Sequence, residues 1–365
     1  MRSSNITYEP RLDHLRFLAA TLVFLFHVYH FFYVGTKNLQ EPEWIGLIAE
    51  GHTGVSLFFV LSGFIFMKIA LQSESIEYGR FMRNRFLRIA PLFLVFFFIA
   101  ISVGRNEFKG YYIFYTLFSN LGEAPTSGTF ITGAAWTISV EFTFYLIFPF
   151  LAVFMKERGA LYVLKLLLLI LMIKLASFNV SENSNHMFYS TLVGRIDQFI
   201  IGMLFAYIYS EYHKTLKTKG MFLFVAAACV VYLNSYIQAK YASYFLDDPK
   251  QVFWITWSLQ EAIGWGMFIL GYMLMPYKIP NLLDKFMCRI GEVSYSFYLF
   301  HGMVIYLFST YVGVIEPFSF DLINIAINTS VIFCAVWFVA TLSYQTIEQP
   351  FLAMRKRYTT PSTSS

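Results

Sequence analysis

The chain has 365 residues, of which 57% are hydrophobic and 13% charged, and it carries a formal net charge of +5 at pH 7. Soluble proteins of this length rarely have such a composition, and long apolar runs recur from end to end, which indicates a polytopic helical membrane protein. The positive charges follow a membrane pattern, so they do not indicate nucleic-acid binding. The three cysteines have neither paired nor metal-ligand spacing, so we expect no disulfide framework and no metal site.

The apolar runs predict an all-α bundle of about ten transmembrane helices, because only helices satisfy their own backbone groups in lipid. The predicted spans are about 12–34, 47–70, 90–104, 134–155, 160–178, 194–210, 220–238, 252–275, 290–311 and 322–345. Lysines and arginines concentrate on the side that holds the N-terminus, which predicts that both termini are cytoplasmic. We therefore expect one integral-membrane domain, 1–358, followed by a short polar tail, 359–365, that is disordered.

The first apolar run carries Arg16 and His27 inside the crossing. Eleven residues are close to three helical turns, so both side chains project from nearly the same face, about 16 Å apart along the axis. Ionisable groups inside a membrane are costly and are candidates for function. His27 could be a general base, or a histidine that is hydrogen-bonded within the bundle; Arg16 could equally be an anchor that reaches the surface.

Glu141 lies in the fourth predicted span, about as far from its external end as His27 lies from the external end of the first. A carboxylate at the same depth could orient the imidazole, although a protonated, hydrogen-bonded Glu141 would be a structural alternative. His52, at the external end of the second span, is a weaker candidate for contact with an acceptor molecule. Arg195 and His301 lie within later spans, where they could form pairs inside the bundle or contact an acceptor molecule or oxyanion.

A run of arginines, 80–88, precedes the third span and includes Arg85 and Arg88, which neighbour each other on a helix. Two guanidinium groups on one face suit a phosphate-bearing ligand. Juxtamembrane arginines also set topology and contact anionic lipid, and composition alone favours that second reading.

Together these segments resemble the acyltransferase family 3 membrane proteins, which modify bacterial surface glycans, and the resemblance covers nearly the whole chain. The stretches that carry it are Arg16-x10-His27, GVSLFFVLSGF at 54–64, Arg85-x-x-Arg88-Ile89-x-Pro91, WTISVEFTFYLIFP at 136–149, SYSFYLFH at 294–301 and IEQP at 347–350. Each motif is weak alone, but six of them occur here in the same order as in the family.

The resemblance implies transfer of an acyl group, usually acetyl, from cytoplasmic acyl-CoA to a hydroxyl of a cell-surface or lipid-linked glycan. His27 would activate the hydroxyl or help to pass the acyl group, and Glu141 would support it. Arg16, Arg85 and Arg88 would bind the anionic part of acyl-CoA. The chemistry needs no permanently bound cofactor or metal; Ser139, Tyr295 and backbone amides near Gly63 are candidate oxyanion donors, and a transient acyl-enzyme stays open.

The same resemblance implies a multi-pass protein of the bacterial cytoplasmic (inner) membrane, whose partners are acyl-CoA, a glycan acceptor and the lipid bilayer. The sequence indicates no oligomeric state and no acceptor sugar; external loops 35–46, 105–133, 178–193 and 239–251 are where recognition is expected. A glycan transporter with intramembrane His and Glu, a sensor without chemistry, and an acyltransferase for a small non-glycan molecule remain alternatives. The lack of an internal repeat argues against a transporter.

Overall fold

The computed structural model of the protein describes residue 5 and residues 7–34, 45–103, 136–243 and 248–361. Within these ranges the chain is a bundle of packed helices. They are α1 (Pro10–His27), α2 (Gly46–Ala49), α3 (Thr53–Leu71), α4 (Tyr78–Val103), α5 (Trp136–Val180), α6 (Ser184–Ser190), α7 (Leu192–Leu216), α8 (Gly220–Tyr241), α9 (Phe253–Leu274), α10 (Asn281–Glu292), α11 (Ser294–Tyr311), α12 (Asp321–Ser343) and α13 (Gln349–Ala353). The predicted interfacial or re-entrant segment, 111–121, lies outside the described residues.

Six helical segments of the described chain are long and apolar enough to cross a membrane: Pro10–His30, Thr53–Leu71, Tyr78–Val103, Trp136–Val180, Leu192–Tyr241 and Asp321–Ala353. This confirms an all-helical, multi-pass membrane protein, while the count of ten and the cytoplasmic termini stay predictions. Two of the six segments contain an internal break. One falls at Gly159 (φ +71°) and the other at the 3₁₀ turn Lys217–Lys219, and both breaks lie between predicted spans.

Helix α3 packs closely against α7 because small residues face each other. A Cβ atom on Gly63 would lie 2.0 Å from the carbonyl oxygen of Phe199, so no larger residue fits there without separating the helices. The close approach predicted for the small residues of 51–64 is therefore confirmed at Gly63. It brings α1, α3, α5 and α7 around one apolar core.

Two predictions about local structure are wrong. Residues Thr359–Pro361, expected to begin a disordered tail, form a strand (β2) that pairs antiparallel with β1 (Ser73–Ile76). The reason is a set of polar contacts: Asn5 accepts a hydrogen bond from the amide of Tyr358, and the amide of Ser75 donates to the hydroxyl of Thr360. Helix α4 also starts well before the predicted residue 90 and continues through Pro91.

Two helices of the bundle pass into π-helical turns. One turn directly follows His27, and the other contains Glu348. Helix α1 passes into a π-helix, Val28–Val34, directly after His27, and α12 passes into a second one, Tyr344–Glu348. π-helical turns are rare and often occur at functional sites, since they rotate the following side chains onto a different face.

Candidate active site

A cavity of about 410 Å³ lies among α1, α3, α4, α5 and α11, at the end of the bundle where α1 begins. We call this end the arginine end, because its walls carry five arginines: Arg16, Arg85, Arg88, Arg289 and Arg355. The remaining walls combine apolar side chains of α3 with several tyrosine rings and with the acidic residues Glu9, Asp13, Glu141 and Glu292, of which Asp13 forms an ion pair with Arg16. A space of this size with convergent charged groups is the usual form of a ligand site.

The arginine run of α4 is divided between two faces. Arg80 and Arg83 are exposed, whereas Arg85 and Arg88 are half-buried and line the cavity. The guanidinium of Arg85 lies 4.9 Å from the ring centre of Phe66 and 5.8 Å from that of Tyr145, and its buried Nε has no hydrogen-bond partner among the described residues. Aromatic contact leaves the donors of Arg85 available to an anion in the cavity.

Arg88 is held by a carboxylate, since its Nη1 donates a hydrogen bond of 2.9 Å to Glu348 Oε2. Glu348 is buried and its other oxygen accepts a hydrogen bond from Ser296. The guanidinium of Arg88 also lies 5.6 Å from the ring centre of Tyr295. Arg88 is therefore fixed in orientation, whereas Arg85 forms no ion pair with a carboxylate in the described part of the chain.

Arg355 adds a further positive charge beyond the end of the last candidate span. Asn84 holds this stretch of chain against α4, by donating to the carbonyl of Lys356 (2.6 Å) and accepting from its amide (3.1 Å). Burial, together with the charges of Arg88 and Arg85, lowers the pKa of Arg355 to about 10. Arg355 stays charged at neutral pH, and this crowding of positive charge favours an anionic ligand.

Glu141 lies in this cavity, where Ser62 donates a hydrogen bond of 3.2 Å to its Oε1. His27 is not among the residues that line the cavity, and the hydrogen bonds of its ring nitrogen involve Val23 and His301. The sequence-based expectation that Glu141 lies beside His27 is therefore not met in this structure. Equal depth along two helices fixes height but not direction, and Glu141 points towards α3 and the arginines.

His27 and His301 face each other, with 3.2 Å between Nδ1 of His27 and Nε2 of His301. The Nδ1 of His301 lies against the carbonyl of Tyr298, which can only accept, so that nitrogen carries the proton. His301 Nε2 is then an acceptor, and His27 Nδ1, which is also 2.8 Å from the carbonyl of Val23, is the donor. His27 Nε2 consequently carries the lone pair, as a general base requires.

Tyr298 connects the cavity with the histidine pair. Its side chain lines the cavity, where its hydroxyl accepts a hydrogen bond of 3.2 Å from Thr137, while its carbonyl contacts His301. The cavity thus begins among arginines and reaches the residue that positions His301.

The other expected acceptor contacts meet in a buried network at the opposite end of the bundle. Arg195 donates to Ser56 (3.0 Å) and to the carbonyl of Tyr189 (2.6 Å), and it lies 3.9 Å from Glu261. His52 is 2.7 Å from Glu50. The bundle-internal pair expected for Arg195 is confirmed, and neither Arg195 nor His52 lines the cavity.

The three expected oxyanion donors are engaged elsewhere. Ser139 donates to the carbonyl of Trp136 (2.8 Å), and Tyr295, although it lines the cavity, donates to the carbonyl of Ile89 (2.9 Å). The backbone near Gly63 is helical and packs against Phe199. None of them presents its donor to the histidine pair in this structure, and their role as oxyanion donors stays a prediction.

Sequence reasoning missed four residues of the site: Tyr145, Tyr298, Glu348 and Arg355. Glu348 belongs to the IEQP stretch and Tyr298 to SYSFYLFH, so both had a sequence signal but no assigned role. Arg355 had none, because it looks like one of many basic residues that flank a span. Expected recognition loop 105–133, and most of loop 35–46, lie outside the described residues.

The fold and the site define a helical membrane protein with an internal, arginine-lined ligand cavity. The sequence profile of the acyltransferase domain family matches residues 9–344, nearly the whole chain. The chain therefore belongs to the acyltransferase family 3 membrane proteins, and this confirms the class of enzyme that the motifs predicted.

Two relatives illustrate the similarity. O-acetyltransferase OatA of Staphylococcus aureus is 24% identical over 380 residues, which cover 94% of this chain and 57% of the relative. Nodulation protein 10 of Rhizobium leguminosarum bv. viciae is 23% identical over 385 residues, which cover 95% of this chain and 94% of the relative. The chain thus spans little more than half the length of the OatA proteins it matches. No solved structure matches it.

Proposed function

We propose that the protein is a membrane O-acyltransferase that moves an acyl group, acetyl first of all, from acyl-CoA to a hydroxyl of a surface polysaccharide or lipid-linked glycan. One observation carries this proposal. A single cavity gathers Arg16, Arg85, Arg88 and Arg355 at one end, and its lining includes Tyr298, which contacts the His27–His301 pair. The cavity thus offers cations to a phosphate-bearing donor, and a residue of its wall contacts the pair that includes the proposed base.

The donor enters at the arginine end. The positive-inside rule assigns this end to the cytoplasm, where acyl-CoA is made. The phosphates of the donor contact Arg85 and Arg355, which both line the cavity, while Arg88 is oriented by Glu348. Guanidinium groups suit this task, because each presents several donors in a planar fork.

The acyl arm then extends along α1 towards His27. Arg16 and His27 are about 16 Å apart along the helix axis, a distance of the same order as an extended pantetheine arm. Glu141 and Ser62 lie on this path, so we assign Glu141 to contact with the amide groups of the arm rather than to support of His27. Movement of the Tyr298 side chain then gives the acyl group access to the histidine pair.

The chemistry proceeds by direct attack on the thioester. His27 Nε2 takes the proton of the acceptor hydroxyl while its oxygen bonds to the thioester carbonyl carbon. The resulting tetrahedral intermediate collapses with cleavage of the carbon–sulfur bond, and the imidazolium returns the proton to the CoA thiolate. His301 Nε2, which accepts from His27 Nδ1, stabilises the imidazolium that forms between these steps.

The acceptor lies at the end of the bundle opposite the arginines. The name of the Staphylococcus aureus relative describes O-acetyl transfer, which supports acetyl as the group and a hydroxyl as the acceptor. A surface glycan and the bacterial inner membrane follow from the resemblance of the motifs. No permanently bound cofactor is required, because the thioester is already activated.

Acetyl transfer from radiolabelled acetyl-CoA into membrane glycan tests the proposal. Membranes with His27→Ala are compared with wild type at matched expression, and the variant should lose at least about 100-fold of the activity. His213→Ala is the matched control, because His213 is an exposed histidine at the end of α7 and should keep full activity.

Wild-type transfer by a folded His27→Ala variant would contradict the assignment of the base. Uptake or export of unmodified glycan without any consumption of acyl-CoA would instead support the transporter alternative. Panels of acyl-CoA donors and of small-molecule acceptors would decide whether the acyl group is longer than acetyl and whether the acceptor is a glycan.

A further inference from the structure

Three side chains of different chemistry converge where α1 crosses α10, at the arginine end of the bundle. Asp284 and Cys288 are four residues apart on α10 and so project from one face, and His14 of α1 meets that face. The imidazole is buried, while Asp284 is about one third exposed. This cluster lies at the rim of the cavity but is not used by the proposed transfer reaction.

The spacing of the three donor atoms is that of ligands around one metal ion. His14 Nε2 is 3.2 Å from Asp284 Oδ1 and 3.3 Å from Cys288 Sγ, and the three atoms all lie within 4.8 Å of one another. Bonds of about 2.0 to 2.3 Å at tetrahedral angles put neighbouring ligand atoms about 3.3 to 3.6 Å apart. One ion would therefore reach all three atoms with only small side-chain movements.

The surroundings of His14 also suit a ligand. Its other ring nitrogen, Nδ1, is 2.7 Å from the hydroxyl of Tyr272, which can accept the Nδ1 proton and leave Nε2 as the coordinating nitrogen. Metal-bound histidines usually have such a partner on the second nitrogen. Arg11 fixes this part of the chain, since it donates to the carbonyls of Tyr272, Met273 and Met275.

The crossing itself is too close to adjust easily. A Cβ atom on Gly291 would lie 2.1 Å from the carbonyl oxygen of Asp13, so α10 rests directly on the backbone of α1. The side chain of Cys288, one turn earlier on α10, is therefore held against His14. A rigid crossing of two helices supplies the preorganisation that a metal site needs.

We propose that His14, Asp284 and Cys288 bind a transition metal ion of the Zn²⁺ class, with water in the fourth position. A thiolate with an imidazole favours Zn²⁺ over the hard ions Mg²⁺ and Ca²⁺. The thiolate and the carboxylate balance the charge of a divalent ion, and the partly exposed Asp284 provides the way in. The site departs from the sequence-based expectation that the chain binds no metal.

The bound ion ties α10 to α1 beside the cavity. Cys288 and its neighbour Arg289 both line the cavity, so the ion fixes one side of its rim. The three ligands come together only when α1 and α10 are folded against each other. The ion should therefore bind the folded protein and not the unfolded chain, and its binding should stabilise the fold. This role does not depend on the proposed transfer reaction.

Cobalt substitution tests the site in the full-length protein, purified in detergent without a histidine tag and stripped with a chelator. A variant with Cys229→Ser and Cys334→Ser keeps Cys288 as its single cysteine. The two substitutions should leave the fold intact, because Cys229 and Cys334 are exposed. Titration with Co²⁺ should give a thiolate-to-cobalt charge-transfer band in the near ultraviolet, saturating at one ion per chain. Zn²⁺ should abolish the band by competition and raise the unfolding temperature.

Three further variants sharpen the result. Cys288→Ser should remove the band, His14→Gln should abolish tight binding, and Tyr272→Phe should weaken Co²⁺ binding by about 10- to 100-fold while keeping the band. Absence of a charge-transfer band in the single-cysteine protein would overturn the proposal. The proposal would also fail if Cys288→Ser bound the same number of Co²⁺ ions per chain with the same affinity. Because the single-cysteine protein gives a decisive spectrum by itself, a Cys288→Ser variant that fails to fold does not prevent the test.

Discussion

Buried charges occur in two regions of this bundle, and their arrangements differ. At the opposite end from the arginines each cation faces an anion: Lys174 is 2.5 Å from Asp197, and Arg195 is 3.9 Å from Glu261. At the arginine end Arg88 is paired with Glu348 in the same way, but Arg85 faces aromatic rings and open space. Charges that satisfy one another hold helices together, whereas charges that face a cavity are available to a ligand.

Neighbouring groups make the same distinction. Arg195 is fully buried and its guanidinium lies 4.3 Å from the ring centre of Trp257, so no space remains for a ligand between them. Arg85 lies beside rings too, but on the wall of a 410 Å³ cavity that also holds Arg88 and Arg355. Burial of a charged residue is therefore a weaker sign of function than the presence of space next to it.

The largest effect is expected from breaking the paired region. Lys174→Met removes the cation that contacts Asp197 and Ser258 and leaves a buried carboxylate without its counter-charge. We expect a loss of about 3 to 5 kcal/mol in the free energy of unfolding. Thermal unfolding in detergent measures it, and Lys165→Met is the control, since Lys165 is exposed on the same helix.

The pairing interpretation also predicts a rescue. The double variant Lys174→Met with Asp197→Leu should recover a large part of the lost stability, because no unpaired charge then remains buried. If the two losses simply added, Lys174 and Asp197 would not act as a pair, and this region would have to be reconsidered as a ligand site.

The cavity should show the opposite behaviour, with a loss of donor binding and little loss of stability. Arg85→Gln removes a guanidinium that has no carboxylate partner in the described contacts, so the fold should keep its unfolding temperature. A charge-assisted hydrogen bond contributes about 1.5 to 3 kcal/mol, so the KM for acyl-CoA should rise by roughly 10- to 100-fold. Steady-state kinetics measure it.

Two controls frame this prediction. Arg158→Gln, at an exposed arginine of α5, should leave the KM unchanged. Arg88→Gln should raise the KM and also destabilise the protein, because Glu348 loses its partner. An Arg85→Gln variant with wild-type donor dependence would return Arg85 to a role in topology or lipid contact.

The sequence predicted the arginine end well and the histidine region only in part. Arg85 and Arg88 line one cavity together, because residues three apart on a helix share a face and this stretch is helical, and Arg16 of another helix lines the same cavity. The partner of His27 was not predictable in this way. His301 lies 274 residues further along the chain, and helix periodicity does not reveal which helix packs against which.

The error over Glu141 has the same origin. Its depth in the membrane was estimated from its distance to the end of a span, but depth does not determine which neighbour a side chain faces. The metal-ligand cluster was hidden for a related reason. His14 precedes Asp284 by 270 residues, so spacing rules for cysteines could not connect them.

A smaller effect is expected at the histidine pair, which is neither inside the cavity nor part of the paired network. His301→Gln removes one of the two acceptors near the His27 Nδ1 proton, the other being the Val23 carbonyl, while leaving His27 itself in place. A neutral hydrogen bond contributes about 0.5 to 1.5 kcal/mol, so kcat should fall by roughly 2- to 10-fold with little change in the KM for acyl-CoA.

The pH dependence of kcat distinguishes positioning from packing at this residue. Loss of His301 should alter the pH profile, because His27 would lose the neighbour that stabilises its charged form. A fall in kcat with an unchanged pH profile would indicate that His301 acts only by filling space between α1 and α11.

The smallest effect concerns the crowding of positive charge around Arg355. Burial and the charges of Arg88 and Arg85 lower its pKa to about 10, so the charged form of Arg355 is disfavoured in the folded protein. At neutral pH, Arg355→Gln should therefore increase the free energy of unfolding of the ligand-free protein by less than about 1 kcal/mol and raise its unfolding temperature slightly. The same variant should reduce the stabilisation that CoA confers, since the anion then meets one cation fewer.

Thermal unfolding with and without CoA measures both changes. A variant that lowers the ligand-free unfolding temperature and leaves the CoA effect intact would make Arg355 a structural residue of the paired kind rather than part of the cavity.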